Sequence, residues 1–272
     1  MKEIKNSRLD KISKTKGINR IYNESCLKTL KRIPNNFVDL VITSPPYNLN
    51  LRIREGKYCS RQIVKEISTK YEGLADNLPI DEYYKFHSNV LSELLRVSNR
   101  IFYVIQIVTG SKRAIFKMIG QFSDSLKDII VLDKKVGQPA IGQQILNRRT
   151  ELILVFENDY PISRQYRNAK FKRGTLNDIW IIGREQSKSK NHGAVFPEKL
   201  VHTILKNFSR KGDIVYDPFL GTGTTAVVAK KMNRKYIGSE ILKEYYKIAK
   251  KRIIDAECLF TITEKNKRMV HE

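Results

Sequence analysis

Cysteine is scarce: Cys26, Cys59 and Cys258 are three, odd in number and widely spaced, which excludes both a disulfide framework and a CxxC zinc site. No apolar run approaches the roughly 20 residues of a membrane-spanning helix, and the opening stretch MKEIKNSRLDKISKTK lacks the apolar segment of a secretory signal. A cytoplasmic protein without membrane contact or bound metal is expected. Negative charge is also short, with 28 Asp and Glu against 51 Lys and Arg, a net charge of +23. A field of that sign favours polyanions, so nucleic acid is the expected partner.

What is present is enough for a large core. With 272 residues, 41% hydrophobic and 9% aromatic, the chain suits one sizeable α/β domain rather than a disordered protein. Residues 1–17 are polar and basic without hydrophobic period and read as a flexible arm, leaving 18–272 as a single domain. A short strand at Ile21 and Tyr22, a helix over Cys26–Ile33 and a buried strand VDLVI over Val38–Ile42 come first, and the last empties into Ser44-Pro45-Pro46-Tyr47. Asp81 is placed to cap a helix whose apolar residues Tyr83, Phe86, Val90, Leu91, Leu94 and Leu95 share one face, and a strand over Ile101–Val108 follows. Helix over Ser111–Phe122 and strands near Ile129–Leu132 and Leu152–Phe156 continue the pattern. It closes with helix Pro197–Phe208, strand Ile214–Tyr216, helix Thr224–Met232, strand Tyr236–Ser239 and a Lys-studded helix over Leu242–Ile254. Such alternation predicts a doubly wound, mostly parallel sheet. Two basic stretches, about 48–78 with one helix near Arg61–Lys70, and about 160–191, read as excursions from it.

The segment DIVYDPFLGTGTTAVVAKK has the form of a strand, a glycine turn and a small-residue helix. Gly221 and Gly223 permit tight turning and close backbone approach. A phosphate loop carries lysine after its last glycine; here Thr224 and Thr225 stand there and the acidic Asp217 opens the turn, so an anion is a poor guest and a nucleotide hydrolase is disfavoured. A carboxylate at Asp217 suits an amino group and a cationic sulfonium. Glu240, roughly 20 residues on, suits ribose hydroxyls. S-adenosylmethionine carries all three groups.

The proline loop offers acceptors. Pro45 and Pro46 donate no backbone hydrogen bond, so the Ser44 hydroxyl and the Pro45 carbonyl are available to one NH₂ group. Two acceptors on its hydrogens favour pyramidal geometry and aim the nitrogen lone pair at a sulfonium methyl. The proton is lost after transfer, so Ser44 need not be a strong base. Tyr47 is suited to stack on a base swung out of the duplex.

In this order the motifs resemble those of the β class of amino-group DNA methyltransferases, in which the catalytic loop precedes the S-adenosylmethionine motif. The similarity runs from about Ile21 to Arg252. It implies a Rossmann-like fold with circularly permuted motif order. It also implies a catalytic loop at Ser44, Pro45, Pro46 and Tyr47, and a cofactor site drawing on Glu24, His192, Phe196, Pro197, Asp217, Phe219, Gly221, Gly223, Thr224, Thr225 and Glu240. Within it, IYNESCL places Glu24 near the adenine ring, TELILVFEN and DIW resemble the late strand and its landmark, and NHGAVFPEKL resembles the segment at the methionine end. Ser before Pro-Pro-Tyr in this family accompanies N4-methylation of cytosine, and Asp or Asn there accompanies N6-methylation of adenine. Methylation at cytosine carbon 5 needs a thiolate, and no Pro-Cys pair occurs. The resemblance further implies a prokaryotic enzyme acting on double-stranded DNA, monomeric or homodimeric, paired in function with a restriction endonuclease without binding it.

Base recognition is expected from Arg52–Tyr71, from Arg164–Lys190, or from Gln138, Gln143, Gln144, Arg148 and Arg149. The rival readings are a non-catalytic nucleic-acid-binding protein, which has no need of Ser44, Asp217 or Glu240, and an RNA methyltransferase, which shares the cofactor.

Overall fold

The computed structural model describes residues 11–13, 15–48, 51–54, 57–60, 78–138, 143–183 and 196–269, with 51–54, 57–60, 138 and 257–269 described as backbone only. The strands are β1 (Arg20–Tyr22), β2 (Leu40–Thr43), β3 (Leu51–Arg54), β4 (Lys57–Ser60), β5 (Arg100–Ile105), β6 (Leu126–Gln138), β7 (Arg148–Glu157), β8 (Ile179–Ile181), β9 (Ile214–Asp217) and β10 (Lys235–Ser239). The helices are α1 (Cys26–Leu30), α2 (Ile80–Val97), α3 (Lys112–Gln121), α4 (Glu198–Phe208), α5 (Thr224–Lys231) and α6 (Lys243–Met269).

Eight strands form one sheet in the order β1-β10-β9-β2-β5-β7-β6-β8, and β3 and β4 form a separate hairpin. Every described pairing in the large sheet is parallel except those of β7, which runs against both β5 and β6. Side chains alternate across it with the period of two that a strand imposes. Leu40, Ile42, Phe102 and Val104 point to a core shared with α4, α5 and α6. Val41, Ile101, Tyr103 and Ile105 point to a second core under α1, α2 and α3. With a core on each face, the sheet is doubly wound.

Several elements differ from expectation. Asp81 lies inside the first turn of α2 rather than at its cap; Pro79 holds the cap position, where a fixed φ and no N–H cost nothing. The stretch Ile129–Leu132 is the middle of a 13-residue strand, because its polar ends are held by cross-strand hydrogen bonds to β7 that hydrophobicity does not reveal. Residues 11–13 and 15–17 are anchored: Ile12 is buried, its N–H donates to the Arg32 carbonyl (3.0 Å), and the Tyr22 hydroxyl donates to the Gly17 carbonyl (3.1 Å). Within 160–183, Tyr166, Ala169, Phe171 and Leu176 pack against the α4 face, so part of that basic excursion is a covering layer for the core. The helix expected near Arg61–Lys70 lies outside the described residues.

The connections explain where a ligand can bind. From β9 the chain leaves through α5 to β10 on one side; from its neighbour β2 it leaves through α2 to β5 on the other. Adjacent parallel strands whose crossovers part in opposite directions leave a crevice beyond their carboxyl ends. The glycine turn and the proline loop both begin there.

Candidate active site at the carboxyl edge of the sheet

The glycine turn is organised around a buried carboxylate. Asp217, the last residue of β9, accepts hydrogen bonds from the Thr43 hydroxyl (2.8 Å) and the Phe219 N–H (3.0 Å) on Oδ1, and from the Thr225 hydroxyl (2.7 Å) on Oδ2. Burial pushes its carboxyl up to about 6, against the pull of those three donors. The group expected to face a ligand thus serves first as the knot joining β9, the start of α5 and the end of β2. Gly221 and Gly223 adopt φ of +55° and +89°, where L side chains are strained. A Cβ on Gly223 would lie 2.8 Å from that of Ala249 on α6, so close packing enforces this glycine. A Cβ on Gly221 would meet nothing within 4 Å, so the outer side of the turn is open.

Glu240, just past β10, closes the turn from the side. Its Oε2 accepts the Gly221 N–H and its Oε1 the Leu242 N–H, each at 2.8 Å. Burial raises its carboxyl above the usual range, and these backbone donors oppose the shift. Phe219 stands 6.0 Å from Phe86 of α2, ring centre to ring centre, and Thr224 and Thr225 are buried at the start of α5. Two buried carboxyls bordering an open glycine backbone fit a cationic ligand with hydroxyl groups, and therefore fit S-adenosylmethionine.

The proline loop leaves β2 at Thr43. Ser44 Oγ and Tyr47 Oη are 2.8 Å apart, and the Tyr83 hydroxyl donates to the Pro46 carbonyl at 2.7 Å. Asn48 takes a left-handed φ of +57° and donates through Nδ2 to the Leu78 and Gly110 carbonyls, both at 2.9 Å. Beneath the loop, the Tyr83 ring lies 4.1 Å from that of His87, whose Nδ1 meets the Tyr103 hydroxyl. Burial drives the His87 pKa down to about 3, so its imidazole is a neutral prop and no general base. Burial and the nearby Glu151 carboxylate hold the Tyr47 phenol protonated, well above its usual range, with Ser44 opposing.

A family model described as DNA methylase, of the N6/N4 type, matches residues 38–251, most of the chain. The chain belongs to the DNA methylase family. It is 30% identical over 268 residues to the type II methyltransferase M.BglII of Bacillus subtilis, a match covering 85% of this chain and 68% of that protein. It is 26% identical over 254 residues to the type II methyltransferase M.HinfI of Haemophilus influenzae, covering 87% and 68%. Among solved structures it resembles the cytosine-N4-specific PvuII DNA methyltransferase, with a TM-score of 0.66 at 18% identity over 86% of this chain and 85% of that one. It also resembles M1.HpyAVI in complex with SAM, with a TM-score of 0.55 at 21% identity over 86% and 98%. The fold is that of S-adenosylmethionine-dependent methyltransferases, with the proline loop ahead of the glycine turn in the chain.

In this methylase the remaining expected site residues are unevenly placed. Glu24 follows β1 on the same edge, but its carboxylate is paired with Arg32, accepts the Thr29 hydroxyl at 2.8 Å and lies 3.5 Å from Lys28 Nζ. Pro197 caps α4 and Phe196 packs against the α4 core; His192 lies outside the described residues. Sequence reasoning passed over Asn23, whose Nδ2 donates to the Glu240 and Ile241 carbonyls at 2.8 and 3.0 Å and so ties β1 to the loop after β10. It also passed over Arg252 of α6, which donates to the Thr222 carbonyl (2.8 Å), the Thr222 hydroxyl (3.0 Å) and the Thr224 hydroxyl (3.2 Å). Neither had a local signal: one is an ordinary asparagine after a strand, the other one cation in a Lys-rich helix. Among the described residues no His, Cys, Asp and Glu group is suited to a metal, and no helix is long and apolar enough to cross a membrane.

Proposed function

We propose that this chain methylates the exocyclic N4 amino group of cytosine in a short duplex DNA sequence, drawing the methyl group from S-adenosylmethionine. The observation that carries this reading is the Thr43–Asp217 hydrogen bond of 2.8 Å, which joins the residue before Ser44 to the base of the glycine turn. An amino group held at Ser44 and a nucleoside cofactor held at Gly221 and Glu240 would therefore meet across one strand boundary. The bound cofactor supplies an electrophilic methyl on a sulfonium. Ser44 and the Pro45 carbonyl orient the amine hydrogens, and Asp217 and Glu240 provide the negative environment for the cofactor's cation and hydroxyls. Glu24, His192, Phe196 and Pro197 are assigned to the same cofactor site by family resemblance, supported by the position of Glu24 just after β1 and of Pro197 at the start of α4.

Cytosine is favoured by serine before Pro-Pro-Tyr, and the PvuII relative in fold is cytosine-N4-specific. Adenine N6 is the second reading, since the matched family embraces both amino targets. Methylation of this kind protects host DNA from a cognate endonuclease, and two sequence relatives are type II methyltransferases. The test is incubation with labelled S-adenosylmethionine and unmethylated DNA, digestion to nucleosides and mass spectrometry. N4-methylcytosine is expected. N6-methyladenine would transfer the assignment to the second reading, and label in RNA alone would end both.

A further inference from the structure

The β6–β7 hairpin overruns its sheet. β7 pairs with β5 only as far as Ile105↔Leu152 and β8 pairs with β6 only as far as Asp133↔Ile181, yet β6 and β7 stay paired out to Gln138↔Arg148. The last four residues of this ribbon, from Leu152 back to Arg148, carry it about 13 Å past the end of β5 at ordinary strand rise. Because β7 is antiparallel to β5, the overhang projects from the carboxyl edge, the side of Ser44 and the glycine turn. Its base is stiff. Arg149 grips Asp133 through Nε–Oδ1 (2.5 Å) and Nη2–Oδ2 (2.6 Å), Lys134 pairs with Glu151 (2.8 Å), and Arg148 donates to the Ile107 carbonyl (2.6 Å) just past β5. Glu151 in turn stands beside Tyr47.

Among the described residues at the end of this ribbon, three aliphatic side chains are exposed. Leu146 is 89% exposed and Ile145 59% exposed, with Val136 at 72% on the adjoining strand. Gln143 and Gln144, which carry both donors and acceptors, are exposed beside them. Aliphatic side chains beyond a firmly held base, in a chain of charge +23, match the chemistry of the duplex interior, and a two-stranded ribbon fits a major groove about 12 Å wide. An enzyme acting on an exocyclic amine must also keep the target base out of the stack.

We propose that the β6–β7 tip enters duplex DNA, with Ile145 and Leu146 as an apolar wedge in the base stack beside the extruded nucleotide and Gln143 and Gln144 at base edges. This rests on the reading of the chain as a methylase of DNA bases. The test uses the full chain carrying Ile145→Ala and Leu146→Ala together, with a duplex containing the recognition sequence, found beforehand by sequencing methylated positions in DNA treated with the unaltered protein. That duplex is made once with the target base paired and once with it mispaired.

On the paired duplex kcat/KM should fall about tenfold or more, because a wedge offsets part of the cost of unstacking and unpairing the target base. On the mispaired duplex, where that cost is already reduced, the two proteins should agree within about twofold. S-adenosylmethionine affinity should not change. An equal loss on both duplexes, no loss on either, or a loss that follows dissociation of a dimer in sedimentation would overturn the wedge. If neither protein methylates any DNA, the proposed function fails, and duplex binding by fluorescence anisotropy decides the tip by itself. Weaker binding by the double variant keeps it as a DNA contact; equal binding removes it.

Discussion

The two sides of the crevice are built on opposite terms. On the side proposed for the cofactor, around β1, β10 and β9, polar groups are buried and satisfied from within: Asp217 takes three hydrogen bonds, Glu240 takes two backbone donors, and Gly223 sits against Ala249 with no room for a methyl group. On the far side the β6–β7 ribbon leaves the sheet with Val136, Ile145 and Leu146 uncovered and Arg149 half exposed over its pairing with Asp133. A site for one small, constant ligand can be closed in advance. A surface that must meet a polymer cannot, and keeps its contacts unmade until the partner arrives.

The sharpest way to break this contrast is at its most connected atom pair. Asp217→Ala would leave the Thr43 and Thr225 hydroxyls and the Phe219 N–H without their acceptor, at about 1–3 kcal/mol for each group that finds no other. Loss of S-adenosylmethionine binding by calorimetry and a clear drop in Tm are expected; wild-type binding would show that the turn is held by something else. Ser44→Ala tests the other side of the strand boundary. Removing one oriented polar group from a reacting centre costs about 100-fold or more in rate. Single-turnover methylation should fall by that order while cofactor affinity stays within about twofold of wild type. A variant that still turns over normally would remove Ser44 from the chemistry.

The same contrast governs how much was legible in the sequence. Gly221 and Gly223 were readable because a left-handed φ at both, and at Gly223 a neighbour too close for any Cβ, favour glycine, whereas Asp217 and Glu240 were readable only as carboxylates at the ends of β9 and β10 beside that turn. The strand β2 and its proline stop were readable for the same kind of reason. The role of Asp217 was only half legible, since its partners Thr43 and Thr225 depend on which strands become neighbours, a fact of topology and not of local pattern. The length of β6 was hidden because hydrophobic alternation marks only the part over the core, and the remainder is held by backbone pairing to β7. Arg252 and Asn23 were hidden because a long polar side chain reports nothing about the carbonyl it will reach.

Thr43→Val is a smaller perturbation and probes the link between the two sides directly. The shape of the side chain is kept and one hydrogen bond to Asp217 is lost, worth about 1.5–3 kcal/mol when the acceptor is charged. Cofactor affinity should fall by about tenfold or more, in line with that energy, and Thr43→Ser should restore it. If Thr43→Val lowers the methylation rate with no change in affinity, the bond serves the proline loop rather than the turn.

The gentlest test is pH. Burial lifts the Asp217 carboxyl from 3.8 to about 6, so the folded protein holds this proton more tightly than the unfolded chain does. The group's contribution to stability is therefore fully present below about 4 and is lost as pH rises through about 6. Binding of a cation has the opposite preference, because it needs the carboxylate. Affinity for S-adenosylmethionine, measured by calorimetry between pH 5 and 8 as flagged by a group titrating at about 6, should be highest on the alkaline side and decline on the acid side with a limiting slope of one proton. Two neighbours bear on the result. His87 titrates at about 3 and stays neutral throughout this range, while Glu240, also raised by burial, is the one other acidic group of the turn able to contribute. Asp217→Asn should abolish the slope if Asp217 carries it. If the slope survives in Asp217→Asn and disappears in Glu240→Gln, the proton belongs to the ribose side of the site, and Asp217 is a purely internal tie between β9 and β2.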